Sequence, residues 1–125
     1  MSYGGFEDLE VYNKCREFRK SISEMIKLQF PKEEKYQLTA QLLNASRSVT
    51  ANIAEGFGRF HYQENIQFCR IARGSLMETL EHLITAFDEG YITNEQLDRF
   101  RWQYQNCLKL LNGYISYLKK AKSNT

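Results

Sequence analysis

Apolar residues recur at steps of three and four in four segments of the chain, and this spacing is what most constrains the fold. The first segment places Val11, Cys15, Phe18, Ile22 and Met25 on one line. Residues at that spacing share one face of an α-helix, whereas the side chains of a strand alternate between two faces. Equivalent lines run through Leu38, Leu42, Ala45, Val49 and Asn52, then Cys69, Ala72, Leu76, Leu83 and Phe87, and finally Leu97, Phe100, Tyr104, Leu108, Leu111, Ile115 and Leu118.

Helix-end signals divide these lines into helices at about residues 8–29, 34–55, 62–88 and 94–121. Pro31 should close the first helix, and Gly90 is predicted to follow the end of the third. Thr93 and Gln96 form a capping box at the start of the fourth. Because the connections are short, neighbouring helices should be antiparallel. We therefore predict an all-α, up-down-up-down four-helix bundle that forms one domain over residues 1–125.

Gly56 and Gly58 lie near the predicted end of the second helix, in the stretch NIAEGFGRF. A dinucleotide-binding loop would require a third glycine at His61 and a preceding strand, and a Walker loop would require a Gly-Lys-Ser/Thr ending. Neither pattern is present. We predict instead that Gly56 adopts the left-handed conformation that ends the helix, and that Gly58 eases the turn into the next.

Two polar residues of the same helix are candidates for special roles. Asn52 falls on the apolar line, where a buried asparagine commonly fixes helix register, and contact with a ligand is the alternative. Glu55 precedes Arg59 by four residues, so the two side chains can pair across the helix end. A catalytic Glu55 would need a matched acid or nucleophile, and the sequence offers none. No catalytic residue is predicted.

The cysteines and histidines do not form a metal-binding pattern. Cys15, Cys69 and Cys107 are odd in number and widely spaced, which favours reduced thiols in the core over a zinc site shared with a histidine. A di-metal bundle site would require two Glu-x-x-His motifs, and the nearest approach is Glu78 and His82 at spacing four. We predict neither a metal nor another cofactor.

The composition bears on location and partners. No apolar run approaches the ~20 residues that span a bilayer, and the N-terminus is acidic where a secretory signal is basic and then apolar. We therefore expect a cytoplasmic protein with no membrane partner. The net charge of +2 does not by itself indicate nucleic-acid binding. The eight tyrosines and eight phenylalanines exceed the needs of one small core, which predicts a subunit interface.

Basic residues cluster at two places and are candidates for contacts with nucleic-acid phosphates. Arg70 and Arg73 lie one helical turn apart, and the aromatic rings of His61 and Tyr62 precede them. Arginine beside aromatic residues can bind phosphate and stack on bases. An inert, solvated charged face is the open alternative. The candidate residues are Arg59, Arg70 and Arg73 and, as an alternative location, Lys119, Lys120 and Lys122.

Five stretches of the chain resemble the four helix bundle protein family. They are FEDLEVYNKCREF, FPKEEKYQLTAQL, SVTANIAEGFGR, ENIQFCRIARGSL and EGYIT, and the match covers roughly residues 6–120. Members of that family include proteins encoded in intervening sequences of bacterial 23S ribosomal RNA genes. The family is similar to the accessory protein of diversity-generating retroelements, a basic pentameric barrel that works with a reverse transcriptase and nucleic acid.

The resemblance implies a non-enzymatic homopentamer that acts as an RNA-binding accessory protein, or one that binds another nucleic acid. A scaffold for a partner protein, with no nucleic-acid role, is the alternative. Positions that match the family motifs include Asn52, Glu55, Gly56, Arg59, Gly74 and Ser75. Close contact between helices would explain a glycine at position 74 inside a helix, where glycine costs about 1 kcal/mol relative to alanine. His61 departs from the family's usual cap serine, and Leu43 and Asn44 replace a common basic pair.

Overall fold

Four long helices account for most of the chain. The structure is a computed structural model that describes residues 4–124, so positions 1–3 and 125 of the predicted domain lie outside the described residues. The helices are α1 (Glu10–Gln29), α2 (Leu38–Phe57), α3 (Tyr62–Asp88) and α4 (Asn94–Ser123). Single turns of 3₁₀-helix, Phe6–Asp8 and Lys32–Glu34, precede α1 and α2.

The helices pack in the order in which they occur in the chain. α1 contacts α2, α2 contacts α3, α3 contacts α4, and α4 returns to α1. The predicted all-α, up-down four-helix bundle is confirmed. Its core is formed by the apolar faces of all four helices, with fully buried side chains that include Ile22, Leu42, Ile53, Leu76, Leu83 and Leu111. Burial of each such side chain contributes about 1.5–3 kcal/mol.

α2 begins at Leu38, four residues later than the sequence signals predicted. Pro31 is followed by a 3₁₀ turn, and the backbone of Gln37 leaves the helical region at φ −123° and ψ −105°. The carboxylate of Glu34 accepts a hydrogen bond from the Leu38 N–H at 3.2 Å, so Glu34 caps the start of α2 from outside the helix. The other oxygen of Glu34 accepts from the Tyr91 hydroxyl at 2.7 Å, which raises the pKa of Tyr91 to about 12. α1 begins two residues later than predicted, at Glu10, and α4 ends two residues later than predicted, at Ser123.

The prediction that Gly56 is left-handed was wrong. Gly56 lies inside α2, and the positive φ angles of the described residues occur at Gly4 and Gly90. A Cβ atom added to Gly56 would lie 2.7 Å from Asn65 Oδ1 and 2.8 Å from Phe68 Cβ, both on α3. Glycine is therefore needed here for close approach of two helices. Gly58, with φ −75° and ψ −6°, is the C-cap residue and is likewise not left-handed.

The apolar line of α2 also differs from the prediction at its C-terminal end. The buried positions after Val49 are Thr50, Ile53 and Gly56, whereas Asn52 is only half-buried. The Asn52 amide donates to the carbonyl and the hydroxyl oxygen of Ser48, at 2.8 and 2.9 Å. The Ser48 hydroxyl is 2.9 Å from that of Ser75 on α3. Asn52 therefore supports a polar contact between helices at the edge of the core.

Local end signals predicted the turn between α3 and α4. Gly90 has φ +80°, its N–H donates to the Phe87 carbonyl, and the Tyr91 N–H donates to the Ala86 carbonyl. These two bonds form a Schellman motif. The capping box of Thr93 and Gln96 is present at the start of α4.

Within one chain, Gly74 does not have the predicted close contact with a neighbouring helix. It is exposed on α3, and a Cβ atom added there would meet no atom within 4 Å. Ser75, the next residue, is the one that faces α2. Within the described part of the chain, none of the helices combines the length and apolar character needed to cross a membrane.

Candidate nucleic-acid interface

The antiparallel arrangement brings the start of α3 beside the end of α4. α3 starts directly after the α2–α3 loop, and α4 runs back toward that loop. Residues that are more than fifty positions apart in the sequence therefore meet at one end of the bundle. The Lys122 ammonium donates to Gln63 Oε1 across this boundary.

A recess between these two helix ends holds three of the predicted basic residues. We call it the cationic recess; it has a volume of about 260 Å³ and is lined by Gln63, Ile66, Arg70, Lys119, Lys122 and Ser123. Ile66 is buried and belongs to the core, while the other five side chains are exposed. The recess thus unites Arg70, from the first predicted group, with Lys119 and Lys122 from the second.

The other predicted basic residues lie outside the cationic recess. Arg73, one turn beyond Arg70, donates from Nη1 to Asn112 Oδ1 at 2.8 Å and thereby links α3 to α4. Lys120 is exposed on α4. Since the side chain of Arg73 already has a partner, Arg70 is the better candidate of the two for a contact with phosphate.

Arg59 is held by neighbouring groups in the α2–α3 loop. Its guanidinium lies 3.3 Å from Glu55 Oε2 and 3.8 Å from Glu64 Oε2, and it covers the ring of Phe68 at 4.9 Å. The predicted pair of Glu55 and Arg59 is present. His61 is the N-cap residue of α3 but makes no side-chain capping bond. The two carboxylates compensate the charge of Arg59, so this residue contributes less to a field that attracts anions.

An aromatic cluster adjoins the cationic recess, and sequence reasoning missed most of it. Its recess, which we call the aromatic recess, is lined by Phe57, Arg59, Phe60, His61, Tyr62, Asn65, Tyr114, Tyr117 and Leu118. Of these aromatic residues, the sequence pattern indicated His61 and Tyr62 only. Tyr114 and Tyr117 could have been found, because they flank the apolar line at Ile115 and Leu118 near the end of α4.

Asn65 joins three helices through polar contacts at the aromatic recess. It is a buried side chain of α3 whose amide donates to the Tyr114 hydroxyl at 3.1 Å. Its Oδ1 accepts from the Cys69 thiol at 3.5 Å and lies against Gly56. Burial raises the pKa of Tyr114, which favours the protonated hydroxyl. Asn65 therefore connects α2, α3 and α4. This is the role in fixing helix register that the sequence predicted for Asn52.

The three cysteines are buried and free, as predicted. A hydrogen bond with Cys107, together with burial, raises the pKa of the Cys15 thiol, and burial raises the pKa of Cys69 to about 11. The thiols of Cys15 and Cys69 therefore remain protonated at neutral pH. Among residues 4–124, no group of three or more His, Cys, Asp or Glu side chains is placed to hold a metal ion. His82 and Glu78 form an ordinary contact along α3 at 3.1 Å.

A family model described as 23S rRNA-intervening sequence protein matches residues 7–113. The chain belongs to this family. A crystal structure of a protein of unknown function, from the S23 ribosomal protein family of Bacteroides thetaiotaomicron VPI-5482, resembles it with a TM-score of 0.77 and 26% sequence identity. The similarity covers 85% of this chain and 95% of the other. No curated protein matches the chain. Membership of the 23S rRNA-intervening sequence protein family agrees with the four-helix fold and leaves the activity to be inferred from the site.

Proposed function

We propose that this member of the 23S rRNA-intervening sequence protein family is a non-enzymatic accessory protein that binds nucleic acid, RNA foremost. The observation that carries the proposal is the convergence of Arg70, Lys119 and Lys122 in one recess from two different helices. None of the described residues that line this recess is an aspartate or a glutamate. A recess whose lining carries Arg70, Lys119 and Lys122 attracts a polyanion.

The chemistry of the recess suits phosphate groups rather than base edges. The guanidinium of Arg70 can form two parallel hydrogen bonds to one phosphate, and lysine ammonium groups add point charges. Contacts of this kind carry no sequence information. Binding should therefore tolerate many sequences.

Replacing Arg70 and Lys119 together with glutamine is expected to weaken binding and to reduce its salt dependence. Each lost phosphate contact lowers the slope of log affinity against log salt by about 0.7–0.9, so the slope should fall by roughly 1.4–1.8 for each subunit engaged. Filter binding to single-stranded and structured RNA across a salt series measures both quantities. Arg16→Gln with Lys20→Gln is a matched control, because it removes one arginine and one lysine from exposed positions of α1.

The melting temperature should barely change in either double variant, since exposed charges contribute about 0–1 kcal/mol. Equal effects of the two pairs on RNA affinity would contradict a localised site and would favour a solvated charged face with only general attraction. Absence of binding even at low salt would exclude the nucleic-acid function as a whole.

We also propose that several copies of the chain assemble, as the pentameric relatives implied by the sequence resemblance do. The outer face of α3 supports this, because Ile71 and Met77 are 52% and 49% exposed on either side of Gly74. Apolar side chains beside a glycine allow a second helix to approach closely. In a ring, several weak phosphate sites would act together, which raises the apparent affinity.

Light scattering should therefore give a mass several times 14.8 kDa at micromolar concentration. Ile71→Lys with Met77→Lys should lower that mass, since two charges would have to be buried at the contact. Leu28→Lys, at an exposed apolar position of α1, is the control. A wild-type monomer would contradict the assembly, and a mass that survives the double substitution would place the contact elsewhere.

The α1–α4 groove favours a second function, a scaffold for a partner protein. This groove, of about 570 Å³, is lined by residues of both charges, including Glu24, Asp98 and Arg99, and by Trp102. The indole of Trp102 is 66% exposed. Tryptophan and arginine are enriched in the energetic centres of protein interfaces. If the protein binds no nucleic acid at low salt, this groove becomes the principal candidate site.

A further inference from the structure

Aromatic rings around the α2–α3 loop are far more exposed than packing requires. Phe60 is 92% exposed, Tyr117 60% and Tyr62 40%. Phe60 makes an edge-on contact with the ring of His61 at 4.9 Å, and the rings of Tyr114 and Tyr117 are stacked within 14° of parallel. The ring of Phe60 therefore gains little from the core, and water covers apolar area that a ligand could bury.

These rings form one continuous surface with the phosphate site. A third recess is lined by Phe60, His61, Tyr62, Gln63 and Lys122. It shares its three aromatic residues with the aromatic recess, and it shares Gln63 and Lys122 with the cationic recess. From Tyr62 to Arg70, α3 rises by about 12 Å at ~1.5 Å per residue. A strand that kept the ~3.4 Å rise of a stacked helix would place three or four nucleotides over that distance.

The charges and exposed rings of this surface suit an anion that carries flat apolar groups. The described residues that line the three recesses include Arg59, Arg70, Lys119 and Lys122, and none is an aspartate or a glutamate. Glu55 and Glu64, which pair with Arg59, do not line any of the three recesses. Every nucleic-acid base has a π-face that stacks on aromatic side chains, but in a duplex those faces are covered by neighbouring bases.

We propose that the aromatic side chains stack bases while the cationic recess holds the adjoining phosphates, so that the ligand is an unpaired strand rather than a duplex. This inference rests on the proposed nucleic-acid function and adds the strandedness of the ligand. Phe60 is the principal stacking residue, with Tyr62 and Tyr117 beside it. Specificity for unpaired nucleotides then comes from the availability of their ring faces.

A tryptophan at position 60 provides a direct reporter of stacking. Trp102 is the single tryptophan of the chain and lies in the α1–α4 groove, away from these recesses. In a Trp102→Phe background, Phe60→Trp should give fluorescence that an unstructured 12-nucleotide RNA quenches and a 12-base-pair RNA duplex does not. A single-stranded DNA of equal length should also quench it, because stacking on the base requires no 2′-hydroxyl group.

Affinity measurements separate stacking from phosphate binding. Phe60→Ala should weaken single-strand binding by about 5- to 100-fold and leave duplex affinity and the salt slope unchanged. Phe60→Tyr should restore binding because it retains the ring. Tyr36→Ala removes an exposed aromatic side chain outside the site and should have no effect. Arg70→Gln with Lys119→Gln should weaken binding of both ligands.

The possible failures are distinguishable. If single strands and duplexes bind equally and Phe60→Ala changes neither affinity, the stacking inference is wrong while the phosphate site stands. If Phe60→Ala reduces the oligomer mass in light scattering, the ring belongs to a subunit contact and the inference is also overturned. If neither ligand binds at low salt, the proposed function fails and this inference fails with it.

Discussion

Gly56→Ala is expected to lower the free energy of unfolding by up to about 2 kcal/mol, although alanine is the better helix former. The added methyl group would lie 2.7 Å from Asn65 Oδ1 and 3.1 Å from the Asn65 backbone oxygen. Overpacking of this kind costs roughly 1–3 kcal/mol, against about 1 kcal/mol gained in helix propensity. Gly56→Val should cost roughly 3 kcal/mol or more, because it adds two further methyl groups and gains less propensity.

Gly113→Ala is the matched control for this experiment. Gly113 also lies inside a helix, but a Cβ atom there would meet nothing within 4 Å. The control should gain up to about 1 kcal/mol from helix propensity alone. Urea denaturation of the three variants gives the comparison. Equal stabilisation by Gly56→Ala and Gly113→Ala would show that α2 and α3 do not approach closely at Gly56.

Asn65→Ala is expected to lower the free energy of unfolding by about 2 kcal/mol. The substitution removes the partner of the Tyr114 hydroxyl and of the Cys69 thiol, both at least half-buried, and leaves a small cavity against Gly56. A buried polar group that loses its partner costs about 1–3 kcal/mol. The effect should appear in thermal and in urea denaturation.

Asn52→Ala is the comparison variant, because it removes a hydrogen bond within one helix and not a contact between helices. Asn52 is half-buried and donates only to Ser48, within the same helix, so its loss should cost less than about 1 kcal/mol. A larger loss at Asn52 than at Asn65 would restore the register role that the apolar pattern of α2 suggested for Asn52.

Features that depend on local sequence were predicted well. The turn at Gly90 and the capping box at Thr93 are set by residues within one helical turn of each other, and the apolar periodicity identified all four helices. The errors concern relations between helices. Gly56 resembles a helix-ending glycine unless the position of Asn65 on α3 is known, and Gly74 resembles a packing glycine although α3 turns that position outward.

The candidate site shows the same division. The sequence identified Arg70 and the lysines of α4 as two separate groups, because it does not give the relative height of helices in the bundle. The fold places Arg70, Lys119 and Lys122 in one recess and gives Arg73 a partner on α4. Phe60 carried no signal, since one aromatic residue in a loop has no periodicity that separates an exposed ring from a buried one.

The hydrogen bond between Lys122 and Gln63 ties the last turn of α4 to the start of α3. The last turn of a helix has carbonyl groups without intrahelical partners and frays more readily than the core. Lys122 and Ser123 belong to that last turn of α4, and they also line the cationic recess. An anion bound there would therefore order the end of α4. Local unfolding of this turn is then coupled to occupancy of the recess, so a ligand should slow amide exchange at the end of α4 before it contributes to global stability.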